Sequence, residues 1–242
     1  MIENLPTYIE LSFGFTTILT LLLFVRCLKK STSETVRKQV PKIFMGLIFW
    51  LMIQGTITIL GIYSSDTESL PPKIVLLGIL PPAIFIVILL TTQRGRNFTD
   101  SLPLKELTYL NVVRVPVELV LFFLFLNGAV PELMTFEGRN FDILAGVTAP
   151  IMVYLVFTKQ KLGSQVLFIW NLACLGLLLN IVVHAFLSAP SPLQRLAFEQ
   201  PNIAILHFPF SWLPTFIVPL VLFGHLVSLV RAFAHSPYGN PR

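Results

Sequence analysis

Arg114 and Glu118 stand four residues apart inside VVRVPVELVLFFLF, residues 112–125, a run otherwise made of hydrocarbon side chains. On a helix that spacing puts both on one face, with Asn111 one turn earlier on the same side. Either residue ionised at the centre of a bilayer costs about 2.5–3.5 kcal/mol on insertion scales, so the two must meet a partner. Two chemistries follow. The pair neutralises itself and pins its helix against the neighbours, or Glu118 takes up and releases a proton while Arg114 holds the counter-charge. Pro116 lies between them and disturbs the helix locally.

Other apolar segments carry matching polar positions. Gly176, Asn180 and His184 recur at intervals of four, a small-residue notch leading to two polar groups. Glu10, Gly14 and Thr17 form a similar stripe near the start of the chain, and Gln54 sits in the middle of a third segment. With Arg114, Glu118 and Asn111, the residues Gln54, Asn180, His184 and Glu10 make up a candidate pathway for a solute or a proton. Glu10, Asp142, His184 and His207 are expected at one depth, which predicts a polar cavity at one face. Imidazole and carboxylate are reasonable zinc or iron ligands, so His184, His207 and Asp142 form a candidate metal set. No H-x-x-x-H or H-E-x-x-H spacing occurs, so only the fold can bring them together. These residues name no particular cofactor. His225 reads as a histidine hydrogen-bonded within the helices.

The elements that must position these groups follow from composition. Of the 242 residues, 55% are hydrophobic and only 12% charged, against about 25% charged in an average soluble domain. Mean hydropathy is +0.79. A helical span needs about 20 apolar residues, and seven such windows occur, near 8–28, 42–63, 74–92, 110–130, 141–158, 166–188 and 210–233. Continuous apolar runs exclude a β-barrel, whose strands would alternate. The expected fold class is therefore an all-α integral membrane protein, a single domain over 1–242 built as a bundle of seven transmembrane helices.

Basic residues set the orientation. Arg26, Lys29, Lys30, Arg37, Lys38 and Lys42 follow the first window, Arg94, Arg96 and Lys105 the third, Lys159 and Lys161 the fifth, and Arg231 and Arg242 end or follow the seventh. The opposite connections hold only Lys73, Arg139 and Arg195. This alternation predicts the N-terminus outside and the C-terminus in the cytoplasm of a cell membrane. The net charge of +5 then reflects orientation and contact with the lipid bilayer, not nucleic acid. MIENLPTYIE lacks the basic region of a removable signal peptide, so its apolar run is expected as the first span. Cys27 and Cys174 fall in or beside spans, where no disulfide is expected.

Prolines 81, 82, 116, 150, 209, 214 and 219 lie in or beside spans, and each frees a carbonyl one turn earlier that a neighbour or water must satisfy. The tetrapeptide GRNF occurs at 95–98 and at 138–141 in unlike contexts and reads as coincidence. The segments 130–142 and 188–210 are long enough to fold at the outer face and to dock a protein partner.

Seven spans in about 240 residues would suit a microbial rhodopsin. The retinal lysine that such a protein needs in its last span is lacking, since all eight lysines precede residue 162. The functional expectation is a small-solute or ion transporter or channel-like protein. A metal-dependent or redox enzyme at the outer face and a non-catalytic assembly subunit are the alternatives.

Overall fold

The computed structural model describes residues 2 and 5–234, and every regular element among them is helical. Five helices are long and apolar enough to cross a membrane: α1 (Thr7–Lys29), α2 (Glu34–Ile59), α5 (Leu104–Leu126), α7 (Ser164–Ser188) and α8, which runs from Leu213–Ile217 into Val218–Ala234. α3 (Val75–Thr91) continues into α4 (Gln93–Ser101) through a bend of 90°, and the two together pass as a sixth. α6 (Ile143–Thr158) is apolar but shorter. All seven expected windows are thus helical, while the long apolar helices number five, or six with the bent pair.

Local chemistry sets the boundaries. α2 begins eight residues before the expected window because the Ser33 hydroxyl caps it, accepting from the Val36 N–H. Thr92 does the same for α4 through the Gly95 N–H, and this starts a new helix across the direction of α3. A Cβ on Gly95 would lie 2.3 Å from the Leu89 carbonyl oxygen, so the sharp bend tolerates only glycine there. The second GRNF copy lies in the turns before α6, not in a helix. The two copies are not a structural repeat.

Widened π-turns occur at Val75–Ile79, Val153–Thr158 and Leu213–Ile217, each beside a proline. Pro81 and Pro82 remove both the α-type and the π-type donor for the Leu77 carbonyl, and Gln54 of α2 supplies one instead, from Nε2 at 3.1 Å. Pro219 deprives the Thr215 carbonyl of its α-helical donor, and the Trp50 indole N–H of α2 donates there at 2.9 Å. α2 is therefore tied to α3 and α8 through proline-freed carbonyls.

α5 and α8 form the centre. α5 packs against α1, α6 and α8, α7 lies along α8, and α2 packs chiefly on α1. The outward faces carry large apolar side chains in mid-helix, such as Phe15 at 70% exposure and Phe49 at 61%, whereas Arg114, Glu118 and His225 are buried. That distribution suits a hydrocarbon surround and suggests a polytopic membrane protein. The small-residue stripes do not pack as expected: a Cβ added at Gly14 or Gly176 would meet nothing within 4 Å. The close helix approach lies elsewhere, at Gly146 of α6, where a Cβ would stand 2.8 Å from Val115 Cγ2 and 2.9 Å from the Val115 nitrogen of α5.

Candidate functional site

The approach at Gly146 positions the central ion pair. Asp142, one turn before Gly146, is carried beside α5, and Arg114 grips it with two nitrogens: Nε donates to Oδ2 at 2.7 Å, and Nη2 stands 2.7 Å from Oδ1. The second contact is off the hydrogen-bonding direction, so its contribution is coulombic. The expected pairing of Arg114 with Glu118 is corrected here. The two share a helix face, but the guanidinium turns to Asp142, which arrives from another helix with geometry for both nitrogens.

Arg114 also joins two further helices. Nη2 donates to the Cys174 carbonyl of α7 at 3.2 Å, and Nη1 approaches His225 Nε2 of α8 at 3.4 Å. The far side of the ring settles its tautomer. Asn171 of α7 spends its Nδ2 on the Leu167 carbonyl, which turns its Oδ1 to His225 Nδ1 at 2.9 Å. A carbonyl oxygen only accepts, so Nδ1 carries the proton and Nε2 is the acceptor facing Arg114.

Beyond Asp142 the chain of contacts continues through Asn140. Its Oδ1 accepts the Asp142 backbone N–H at 3.0 Å, while its Nδ2 donates to Glu118 Oε1 at 2.6 Å and to the Met134 carbonyl at 3.0 Å. A buried polar relay therefore runs Asn171, His225, Arg114, Asp142, Asn140, Glu118 across four elements. It ends on an open group: Glu118 Oε2 is buried and has no hydrogen-bond partner among the described residues.

Glu118 and Asp142 line a cavity of about 210 Å³. Its walls come largely from α3, α7 and α8, with Ile86, Leu178, Ile181 and Leu222 among them, and Asp66 and Lys73 of the loop before α3 also line it. Those two are paired at 3.3 Å. The expectation of a polar cavity lined by Glu10, Asp142, His184 and His207 is corrected. The cavity is walled largely by hydrocarbon, and of those four only Asp142 lines it, in company with Glu118 and with Asp66 and Lys73 of the loop.

The remaining candidates are dispersed. Gln54 Nε2 holds the Leu77 carbonyl and its Oε1 accepts from the Tyr63 hydroxyl at 2.5 Å, a bracing role between α2 and α3. Asn111 Nδ2 reaches only carbonyls of its own helix, at Leu107 and Thr108. Asn180 donates to the Arg139 carbonyl at 2.9 Å, and His184 Nδ1 donates to the Asn180 carbonyl at 2.8 Å. Glu10 is partly buried on α1. The metal set of His184, His207 and Asp142 is not assembled: no three His, Cys, Asp or Glu residues converge among the described residues, because Asp142 is committed to Arg114. Cys27 and Cys174 are free and buried.

Sequence reasoning missed Asn140 and Asn171 and left His225 apart from Arg114. Two signals were present: Asp142 and Gly146 sit one turn apart, the pattern of a polar group beside a close-packing residue, and Asn171 lies on a helix face that otherwise carries Leu167 and Cys174.

The described residues form an all-helical fold whose long apolar helices suggest a polytopic membrane protein, with a polar relay in its core that reaches a largely apolar cavity. The chain belongs to the family defined by the domain of unknown function DUF8737, which matches residues 71–233. That region contains every residue of the relay and excludes α1 and α2. No curated protein and no solved structure matches the chain.

Proposed function

We propose that the protein crosses a cell membrane seven times, with its N-terminus outside and its C-terminus in the cytoplasm, and acts as a small-solute or ion transporter or channel-like protein. The solute enters the cavity between α3, α7 and α8 and is met by Glu118. One observation carries this reading: Glu118, which lines a cavity walled largely by hydrocarbon, has a buried carboxylate oxygen without a hydrogen-bond partner among the described residues.

A buried acceptor in an apolar wall is costly unless a donor reaches it. That donor is either a proton on Glu118 itself or an N–H or O–H group of the solute, and exchange between the two couples solute binding to proton movement. Asn140 keeps the carboxylate aimed by holding Oε1. The Arg114 and Asp142 pair next to it supplies a fixed, nearly neutral backing, so the charge that changes is confined to Glu118. The cavity walls exclude water and select for solutes with an apolar body.

Proton flux into reconstituted vesicles, followed with an internal pH dye under an imposed potential, tests the reading. Glu118→Gln keeps the size and an acceptor oxygen but cannot titrate, and is expected to abolish coupled flux while the protein still purifies as a single folded species. Unaltered flux in that variant would overturn the proposal.

A further inference from the structure

Beside the cavity, and sharing Ile86 and Pro219 with it, a second space opens where α2 and α3 diverge. The ties from Gln54 and Trp50 hold α2 at its middle, and beyond them the helices part towards the end where α1 finishes and α2 begins. The gap is a groove of about 950 Å³, at the upper end of the roughly 300–1,000 Å³ of small-molecule sites. Ile43, Leu47 and Trp50 of α2 form one wall, with Phe85 and Leu89 of α3 and Phe223 of α8 opposite. Among the described residues one charged side chain lines it. Arg94 stands at the mouth, exposed, and makes no ion pair or side-chain hydrogen bond among the described residues. Among the described residues no acidic one lines the groove, and Gln39, Thr92 and Gln93 complete a polar rim on that side.

We propose that this groove holds an anionic phospholipid, with one acyl chain lying along Trp50 and the phosphate at Arg94. Three features select that occupant. A hydrocarbon trough bounded at one end by a lone cation matches a molecule that is apolar along its length and negative at its head. The missing acidic residue leaves the arginine charge available to a phosphate. The mouth lies towards the end of the bundle where Lys29 closes α1 and Arg96 stands on α4, neither in an ion pair among the described residues, and basic groups at a membrane surface draw anionic lipid. The bend at Gly95 places Arg94 at the lip of the groove by turning α4 across the end of α3. A lipid so placed fills the space that α2 leaves open and ties α2 to the rest of the bundle. This inference rests on the membrane reading and is independent of any role for Glu118.

Trp50 provides the readout. The full chain is reconstituted in phosphatidylcholine vesicles titrated over the same range of mole fractions with either brominated phosphatidylglycerol or brominated phosphatidylcholine, and the Trp50 signal is isolated by difference from Trp50→Phe. Brominated phosphatidylglycerol is expected to quench Trp50 at about one-fifth the concentration needed for the phosphatidylcholine, the selectivity that one arginine confers at an anionic surface. Arg94→Glu should remove that preference while quenching by the phosphatidylcholine persists. Gly46→Phe fills the trough, where a Cβ meets nothing within 4 Å, and should reduce quenching by both lipids without disturbing the fold. Equal quenching by the two lipids in the natural protein, or a preference that survives Arg94→Glu, overturns the proposal. Failure of the chain to enter vesicles of any composition overturns the membrane reading and this inference with it.

Discussion

Arg114 touches Asp142, His225 and the Cys174 carbonyl at once, so its removal strands more than one group. Arg114→Met leaves the Asp142 carboxylate buried without its counter-charge, and a loss of about 3–5 kcal/mol is expected on that account. Chemical denaturation in detergent checks this, and the double change with Asp142→Asn should be less harmful than the single one. A pH dependence belongs to His207, outside the helices. Burial holds its imidazole below the ordinary value of 6.5, so the unfolded chain takes up a proton more readily than the folded one. Stability from this source is full above that value and falls as pH drops through it. His207→Gln should flatten the decline in melting temperature between roughly pH 7 and pH 5; an unchanged slope would exclude this source.

At the scale of elements, glycines at similar helical spacing behave differently. A Cβ at Gly146 would press on both the backbone and the side chain of Val115, whereas one at Gly176 would enter open space. Gly146→Ala is therefore expected to separate α5 from α6 and cost about 1–3 kcal/mol, while Gly176→Ala stays within about 0.5 kcal/mol. Comparing the two melting temperatures tests whether α6 is held by close approach. The prolines give a second contrast. Gln54→Leu strands the Leu77 carbonyl and the Tyr63 hydroxyl together, a loss of about 1–3 kcal/mol. Proline positions and the need to satisfy their freed carbonyls were legible from residue order. The donors were not, because Gln54 and Trp50 lie more than twenty residues from the carbonyls they serve.

For the whole molecule, the alternation of basic connections is the strongest guide to orientation, and labelling tests it directly. Cys27 and Cys174 are buried, so introduced cysteines report against a low background. An impermeant maleimide should reach Asp66→Cys on intact cells, and Lys159→Cys only after the membrane is opened. Labelling of both from the same side would overturn the seven-span arrangement. Hydrocarbon content and period determined where the apolar helical windows lie, because a long continuous apolar run suits a helix, which satisfies its own backbone hydrogen bonds. The sequence also marked Arg114 and Glu118 as groups in need of partners, since no charge rests in hydrocarbon without one. Which partners they found was decided only by the tertiary structure. A guanidinium can be answered by any carboxylate the packing delivers, and the close approach of α6 at Gly146 delivered Asp142 before Glu118, leaving one oxygen of Glu118 open to the cavity.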